Sequence, residues 1–264
     1  MIIMKFRWTA AVALAALTAV TFAGCGGAGS SSATDRIKKA GKVVMTTNAE
    51  FEPFEYKDGD EITGIDIEIS QAIAEKLGVK LEITDIAFDS LIPSLNAGKA
   101  DFIAAGMTAT EDRKKNVDFS DAYFNASQAI IVAVDSEIAS RTDLNGKIVG
   151  VQQGTTGDSY CTNEDGSSDV QVAEVKRYPK GMDAVSDLIA GRLDAVVIDN
   201  FPADKLVGKN TDTIKKLDEA LTEEEYAIAL PKGSDLTDTV NATIKELNES
   251  GKMDEIVSKY ISAE

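Results

Sequence analysis

From residue 42 onward the chain alternates short apolar runs with longer amphipathic ones, the pattern of successive β-α units. Residues 42–47 (Lys-Val-Val-Met-Thr-Thr) read as a strand. Residues 66–77 follow as a helix, because Ile65, Ile69, Ala72, Ile73 and Leu77 share one face at helical spacing and Gly78 ends it. Residues 79–83 alternate as a strand, 90–97 form a second helix stopped by Gly98, and 101–105 are a short buried strand. This order predicts an α/β fold with a mostly parallel sheet. Open α/β sheets bind small ligands in the loops beyond the carboxyl ends of their strands.

Three such loops stand out. In the first, Asn48 to Phe54, Pro53 forces a non-helical path at Glu52, so Phe51 is held out from the strand end while Phe54 belongs to the core. The second carries Phe88. The third runs Ala104-Ala105-Gly106-Met107-Thr108-Ala109-Thr110-Glu111-Asp112-Arg113 into a helix that Thr110 can cap, with Glu111 and Asp112 in its first turn. Here Arg113 is a candidate fork for an α-carboxylate and Thr108 a neutral donor and acceptor. Taken alone, Arg113 pairs equally well with Glu111 or Asp112 on its own helix.

The second half echoes the first. Ser94-Leu95-Asn96-Ala97-Gly98-Lys99-Ala100-Asp101 recurs in outline as Asp187-Leu188-Ile189-Ala190-Gly191-Arg192-Leu193-Asp194, each time closing a helix and opening a strand. Two lobes of like topology follow. In the second copy the strand at 195–198 ends on Asp199, a carboxylate that core packing does not explain; its other role is to cap the turn Asn200-Phe201-Pro202. Residues 129–134 and 147–151 are further strands, the latter running into Gln152-Gln153-Gly154-Thr155-Thr156-Gly157. That turn presents backbone N–H groups to an anion, without the Gly-Lys-Ser/Thr ending of a phosphate loop. A strand at 226–230 and helices to the end return the chain to the first lobe, with crossing strands near 125–129 and 225–229 as a hinge.

Charge narrows the function. The formal charge of −17 argues against nucleic acid. Without a single histidine, a Ser-His-Asp hydrolase, a His-ligated metal and a His proton shuttle are excluded. Cys25 and Cys161 are too few for a disulfide scaffold. Residues 1–24 read as a secretory signal: Lys5 and Arg7, an apolar run to Phe22, then Thr21-Phe22-Ala23-Gly24 before Cys25. The last residues resemble a bacterial lipoprotein processing site, with Phe22 where leucine is commoner; ordinary signal cleavage is the alternative. Residues 25–34 (Cys-Gly-Gly-Ala-Gly-Ser-Ser-Ser-Ala-Thr) read as a flexible Gly/Ser tether.

From about Asp35 to Tyr260 the chain resembles the bacterial extracellular solute-binding proteins of polar amino-acid ABC transporters, such as the glutamine-, arginine- and histidine-binding proteins. The likeness rests on Phe51-Glu52-Pro53-Phe54-Glu55, Thr63-Gly64-Ile65-Asp66, Leu91-Ile92-Pro93-Ser94-Leu95, Gly106-Met107-Thr108 with Arg113, Asp118-Phe119-Ser120, Gly154-Thr155-Thr156, Asp194 to Asp199, and Leu230-Pro231-Lys232-Gly233. The resemblance implies the periplasmic-binding-protein fold, two α/β lobes with central mostly parallel sheets joined by a two-strand hinge. Lobe I would span 35–127 and 226–264, lobe II 128–225. It implies ligand contacts from Asn48, Phe51, Phe88, Ala105, Gly106, Met107, Thr108, Arg113, Gln153, Thr155, Thr156 and Asp199. In that scheme Arg113, the backbone N–H groups of Thr108 and Thr156, and the Thr155 hydroxyl hold the ligand carboxylate. Asp199, the Gly106 carbonyl and the Thr108 hydroxyl hold the α-ammonium, and Phe51 and Phe88 sandwich the side chain.

The resemblance implies a receptor that captures a polar L-amino acid by lobe closure and delivers it to ABC permease subunits. It would be a monomer with no catalytic residue, metal or cofactor, exported and held on the extracellular or periplasmic face of the cell membrane only by lipid on Cys25. Asn48 stands where relatives that bind glutamine or histidine have aspartate, which suits a neutral side chain; Glu50 and Gln152 keep a basic one open. A sensor module and an enzyme on the same fold are the alternatives. Cys161 reads as a free, partly buried thiol.

Overall fold

The structure is a computed structural model and describes residues 32–163, 166 and 168–261. The signal segment, Cys25 and the tether up to residue 31 therefore lie outside the described residues. The first helix, α1 (Ala33–Ala40), begins inside the expected tether: the Ser32 hydroxyl caps the Asp35 N–H at 3.1 Å, and the Ala33 N–H donates to Asp235 at 2.7 Å.

The next elements are β1 (Lys42–Thr47), β2 (Glu50–Phe51), β3 (Glu55–Asp58), β4 (Glu61–Thr63), α2 (Ile65–Leu77), β5 (Lys80–Asp85), α3 (Leu91–Asn96), β6 (Phe102–Ile103), α4 (Glu111–Lys114) and β7 (Asp118–Ala126). After them come β8 (Gln128–Ala133), β9 (Ile148–Gln152), α5 (Thr156–Thr162), β10 (Glu174–Tyr178), α6 (Gly181–Ile189), β11 (Ala195–Asp199), α7 (Asn200–Gly208), β12 (Ile214–Lys216), β13 (Glu224–Leu230), α8 (Leu236–Glu249) and α9 (Lys252–Tyr260). They build two five-stranded sheets, ordered β5-β1-β6-β13-β7 and β10-β9-β11-β8-β12, and a three-stranded ribbon β2-β3-β4. In the first sheet only β13 runs against the other strands; in the second only β8 does. The expected mostly parallel sheets are present in both halves.

The sequence echo is one joint built twice. Gly98 and Gly191 both close their helices at φ +70°, the first donating to the Leu95 carbonyl and the second to the Leu188 carbonyl, both at 2.9 Å. The aspartate that follows then clamps the neighbouring strand. Asp101 accepts the Val44 N–H at 2.8 Å, and Asp194 accepts the Ile148 N–H at 2.7 Å. The same hydrogen-bond grammar therefore sets the strand tips of both sheets.

The chain crosses between sheets twice, at adjacent places. One crossing is Ser127, between β7 and β8. The other lies just before Glu224, because Leu221 still donates to Gln128 at 2.8 Å while Glu224 already pairs with Ala126. This puts the second crossing a few residues earlier than expected. Aromatic packing spans the region: Phe54 lies 5.0 Å from Tyr226 and 4.9 Å from Phe124, ring centre to ring centre, and Phe124 lies 5.2 Å from Phe201, the second residue of α7 in the other half. Phe54 is fully buried, as its place beyond Pro53 predicts. Cys161 is a free buried thiol, and burial pushes it up to about 12, which leaves it unreactive at neutral pH.

Candidate functional site

The loops at the carboxyl ends of β1, β6, β9 and β11 meet the turn holding Phe88 around one small cavity. It is lined by Asn48, Phe51, Glu55, Phe88, Gly106, Thr108, Arg113, Gln152, Thr155, Thr156 and Asp199. Nine of the twelve sequence-predicted ligand residues are in that lining. The other three need correction. Ala105 and Met107 point into the core beside Leu91, Leu95 and Ile103, so only their backbone can face the cavity. Gln153 is exposed and donates to Asp89 at 3.0 Å at the mouth. Strand alternation explains this, because Gln152, one position earlier on β9, faces inward instead.

Arg113 is positioned by its own helix start. The Thr110 hydroxyl caps the Arg113 N–H at 3.2 Å, as the sequence predicts. The guanidinium donates to the Thr108 carbonyl at 2.8 Å and to the Gly154 carbonyl at 3.0 Å, and lies over the Phe88 ring at 5.3 Å. It makes no ion pair with Glu111 or Asp112, which instead pair with Lys114 and Lys115. Two of the five guanidinium N–H groups are thus used, and three remain for an anion. Burial lowers the Arg113 pKa, and Glu224 and Asp199 act against that, so it stays a cation.

Asp199 ends β11 and is only 4% exposed. It stands at the N-cap of α7 but makes no side-chain capping bond, so the turn does not use its carboxylate. It accepts a hydrogen bond from Tyr226. Burial first, then the charge of Glu224, raises its pKa to about 7.

The Gly154–Thr156 turn is organised by side chains. Gly154 donates to Asp158 at 3.1 Å, and Thr155 caps the Asp158 N–H at 3.2 Å while donating to the Gln152 carbonyl at 2.8 Å. The single Thr155 hydroxyl proton is therefore spent, and that hydroxyl cannot donate to a carboxylate as expected. The N–H groups of Thr108 and Thr156 have no protein acceptor among the described residues.

Asn48 donates to the Ile86 carbonyl at 3.0 Å and accepts from Gln152 at 2.8 Å. One amide hydrogen and one lone pair remain free on Asn48. Glu50, the expected alternative acceptor for a basic side chain, is paired with Lys180.

Sequence reasoning missed two acids here. Glu55 lines the cavity from β3. Glu224, just behind the wall, accepts from Thr108 at 2.6 Å and Thr156 at 2.9 Å through one oxygen, and from Thr222 at 2.8 Å through the other. One carboxylate at the chain crossing thus ties together the anion loops of both halves.

The sequence profile of the bacterial extracellular solute-binding proteins, family 3, matches residues 43–263. The chain is 35% identical over 261 residues to the arginine-binding extracellular protein ArtP of Bacillus subtilis (strain 168), covering 98% of this chain and 99% of that protein. It is 33% identical over 265 residues to a probable histidine-binding protein of Neisseria gonorrhoeae, covering 98% and 96%. Among solved structures, a mutant of ArgBP from T. maritima superposes with a TM-score of 0.81 at 43% identity, covering 88% of this chain and 100% of that one.

Proposed function

The chain belongs to the bacterial extracellular solute-binding proteins of family 3, and we propose that it captures a polar L-amino acid by lobe closure and delivers it to an ABC permease. The observation that carries this reading is the convergence of Arg113 and Asp199, from different halves, on one cavity. The α-carboxylate sits against Arg113 and the N–H groups of Thr108 and Thr156, where a planar guanidinium outperforms an ammonium. The α-ammonium sits against Asp199, the Gly106 carbonyl and the Thr108 oxygen. Phe51 and Phe88 flank the side chain, with one face of Phe88 already taken by Arg113.

A zwitterion bridging two lobes stabilises the closed arrangement, because only contacts made in one state shift an equilibrium. The lobes are residues 35–127 with 224–264, and 128–223, turning at the two crossings. The acidic lining and the relatives named for arginine favour a basic side chain, so L-arginine is the first ligand to test. No bond-making chemistry is assigned.

The test is a thermal-shift screen of the twenty L-amino acids on the tetherless protein. A ligand at a hundred times its Kd adds about 2.7 kcal/mol to apparent stability. No shift with any amino acid rejects this function. Anchoring is tested separately: with lipid on Cys25, Cys25→Ala releases the protein from the membrane, and continued retention rejects the anchor.

A further inference from the structure

Glu55 is 0% exposed, lines the cavity, and neither of its carboxylate oxygens takes a hydrogen bond from any protein donor among the described residues. A buried, unpartnered carboxylate costs several kcal/mol, so the group must be neutral or must await a donor. Asp66, the second residue of α2, is also fully buried and is tied to the same stretch of chain: its N–H donates at 2.9 Å to the carbonyl of Phe54, the residue before Glu55. Asp66 is already served: it accepts the Gly106 N–H at 2.8 Å and the Tyr123 hydroxyl at 2.7 Å.

The surroundings of Glu55 are uniformly acidic. Asp66 faces it from α2, Asp199 from β11 and Asp85 from the end of β5; Lys57 neutralises only Asp85, at 2.7 Å. Tyr123 from β7 meets the pair, and Tyr226 and Glu224 from β13 meet Asp199. Arg113, the one cation in the lining, is drawn to Glu224 and Asp199 instead. Two buried carboxyls on neighbouring stretches of chain, with no cation facing them, disfavour each other's ionisation.

We propose that Glu55 is a further ligand-contacting residue: with Asp66 it forms a one-proton carboxyl dyad in the cavity wall, which accepts a cationic group of the ligand and releases its proton to solvent as that group arrives. This rests on the amino-acid reading above. The ligand keeps its own charge, and the proton passes from the dyad to the buffer, so the step balances. Burial and Asp66 raise the Glu55 pKa well above the ordinary carboxylate range, and burial raises Asp66 to about 6, in line with a shared proton at neutral pH. An approaching cation favours the ionised form and drives the release. The dyad also reaches the ligand loop directly, because Asp66 holds the N–H of Gly106, the residue whose carbonyl faces the ammonium.

Two measurements test the proposal. Infrared difference spectroscopy of the free protein at pH 7 should show a protonated-carboxyl C=O band that Glu55→Gln removes and Asp199→Asn leaves. Saturation with L-arginine should diminish that band. Calorimetry of L-arginine binding in two buffers of different ionisation enthalpy should count more protons released by the wild type than by Glu55→Gln. The variant should bind about tenfold more weakly, since a hydrogen bond to a charged group is lost. An unchanged band in Glu55→Gln overturns the dyad, and equal proton counts overturn its link to the ligand. If L-arginine and every other amino acid fail to bind, the functional reading and the ligand's part of this proposal fall together, while the band in the free protein still decides the dyad. If Glu55→Gln does not fold, titration of the wild-type band decides it, a band already gone when the pH is raised to 5 counting against the dyad.

Discussion

A carboxylate raised to about 7, as burial and Glu224 raise Asp199, pulls binding and stability in opposite directions. Binding an α-ammonium needs the ionised form, so affinity for the amino acid declines as pH falls through about 7, by up to about tenfold per unit. Calorimetry between pH 5 and 8 checks this, and a slope unchanged in Asp199→Asn would rule out the assigned contact. Stability has the reverse sign. The folded pKa lies above the ordinary aspartate value, so the neutral carboxyl is favoured in the fold and the contribution is lost as pH rises from about 4 to about 7. The gap in Tm between Asp199→Asn and the wild type should widen across that window. Arg113→Lys should weaken binding about 10- to 100-fold, because a lysine cannot hold two carbonyls and a carboxylate together. Lys114→Ala should change little, and equal losses would reduce Arg113 to a surface charge. Asp199 stood out in the sequence because it follows an apolar run where packing has no use for a charge, whereas Arg113, in a charged helix start after Glu111 and Asp112, stood out through the family resemblance. Glu224 was not, since it lies among Glu223, Glu224 and Glu225, and only the alternation of β13 turns it inward and Glu225 outward.

The loops inherit their precision from the elements that end at them, and Gly106 is where that precision is tightest. It holds φ +50°, and a Cβ there would lie 2.7 Å from Phe51 Cε1 and 3.4 Å from the Tyr226 ring. Gly106→Ala therefore adds a steric clash to the left-handed penalty of about 1 kcal/mol and pushes Phe51 into the cavity. Gly98→Ala, at φ +70° with nothing within 4 Å, carries only the penalty. Both variants should melt earlier, but only Gly106→Ala should lose affinity; a matching loss in Gly98→Ala would mean the effect is global destabilisation. Elements of five or more residues with one clear period, such as β1 and α2, were readable to within a residue or two. The ribbon β2–β4 was not, because strands of two to four residues show no period. β7 also escaped, since its register against β13 shifts twice and scrambles the alternation. Glu55 went unread with the ribbon that carries it.

Across the whole molecule, contacts between the halves are of two kinds. Around the cavity they are neutral or shared: Asn48 with Gln152 at 2.8 Å, and Arg113 with the Gly154 carbonyl at 3.0 Å. On the flank they are charged: Lys180 with Glu50, and Lys209 with Glu52 at 2.7 Å, with Lys205 at 3.9 Å from the same carboxylate. In a chain of net charge −17 these lysines are local exceptions. Each such pair is partly exposed and contributes at most about 1 kcal/mol, less as salt rises. Because the pairs span the two halves, their contribution falls on the closed arrangement alone and so appears in ligand affinity. General screening works the other way, relieving the self-repulsion of an acidic chain and favouring the compact fold. The two effects separate by readout. Raising salt from 0.05 to 0.5 M, spanning roughly a threefold change in Debye length, should raise the Tm of the free protein while weakening ligand binding a few-fold. The double variant Glu50→Gln, Glu52→Gln should bind a few-fold more weakly at low salt and lose much of that salt dependence. The ligand's own contacts with Arg113 and Asp199 are unchanged in the variant, so the difference between the two salt slopes isolates the flank. Parallel slopes would mean that these pairs persist when the lobes open and take no part in closure.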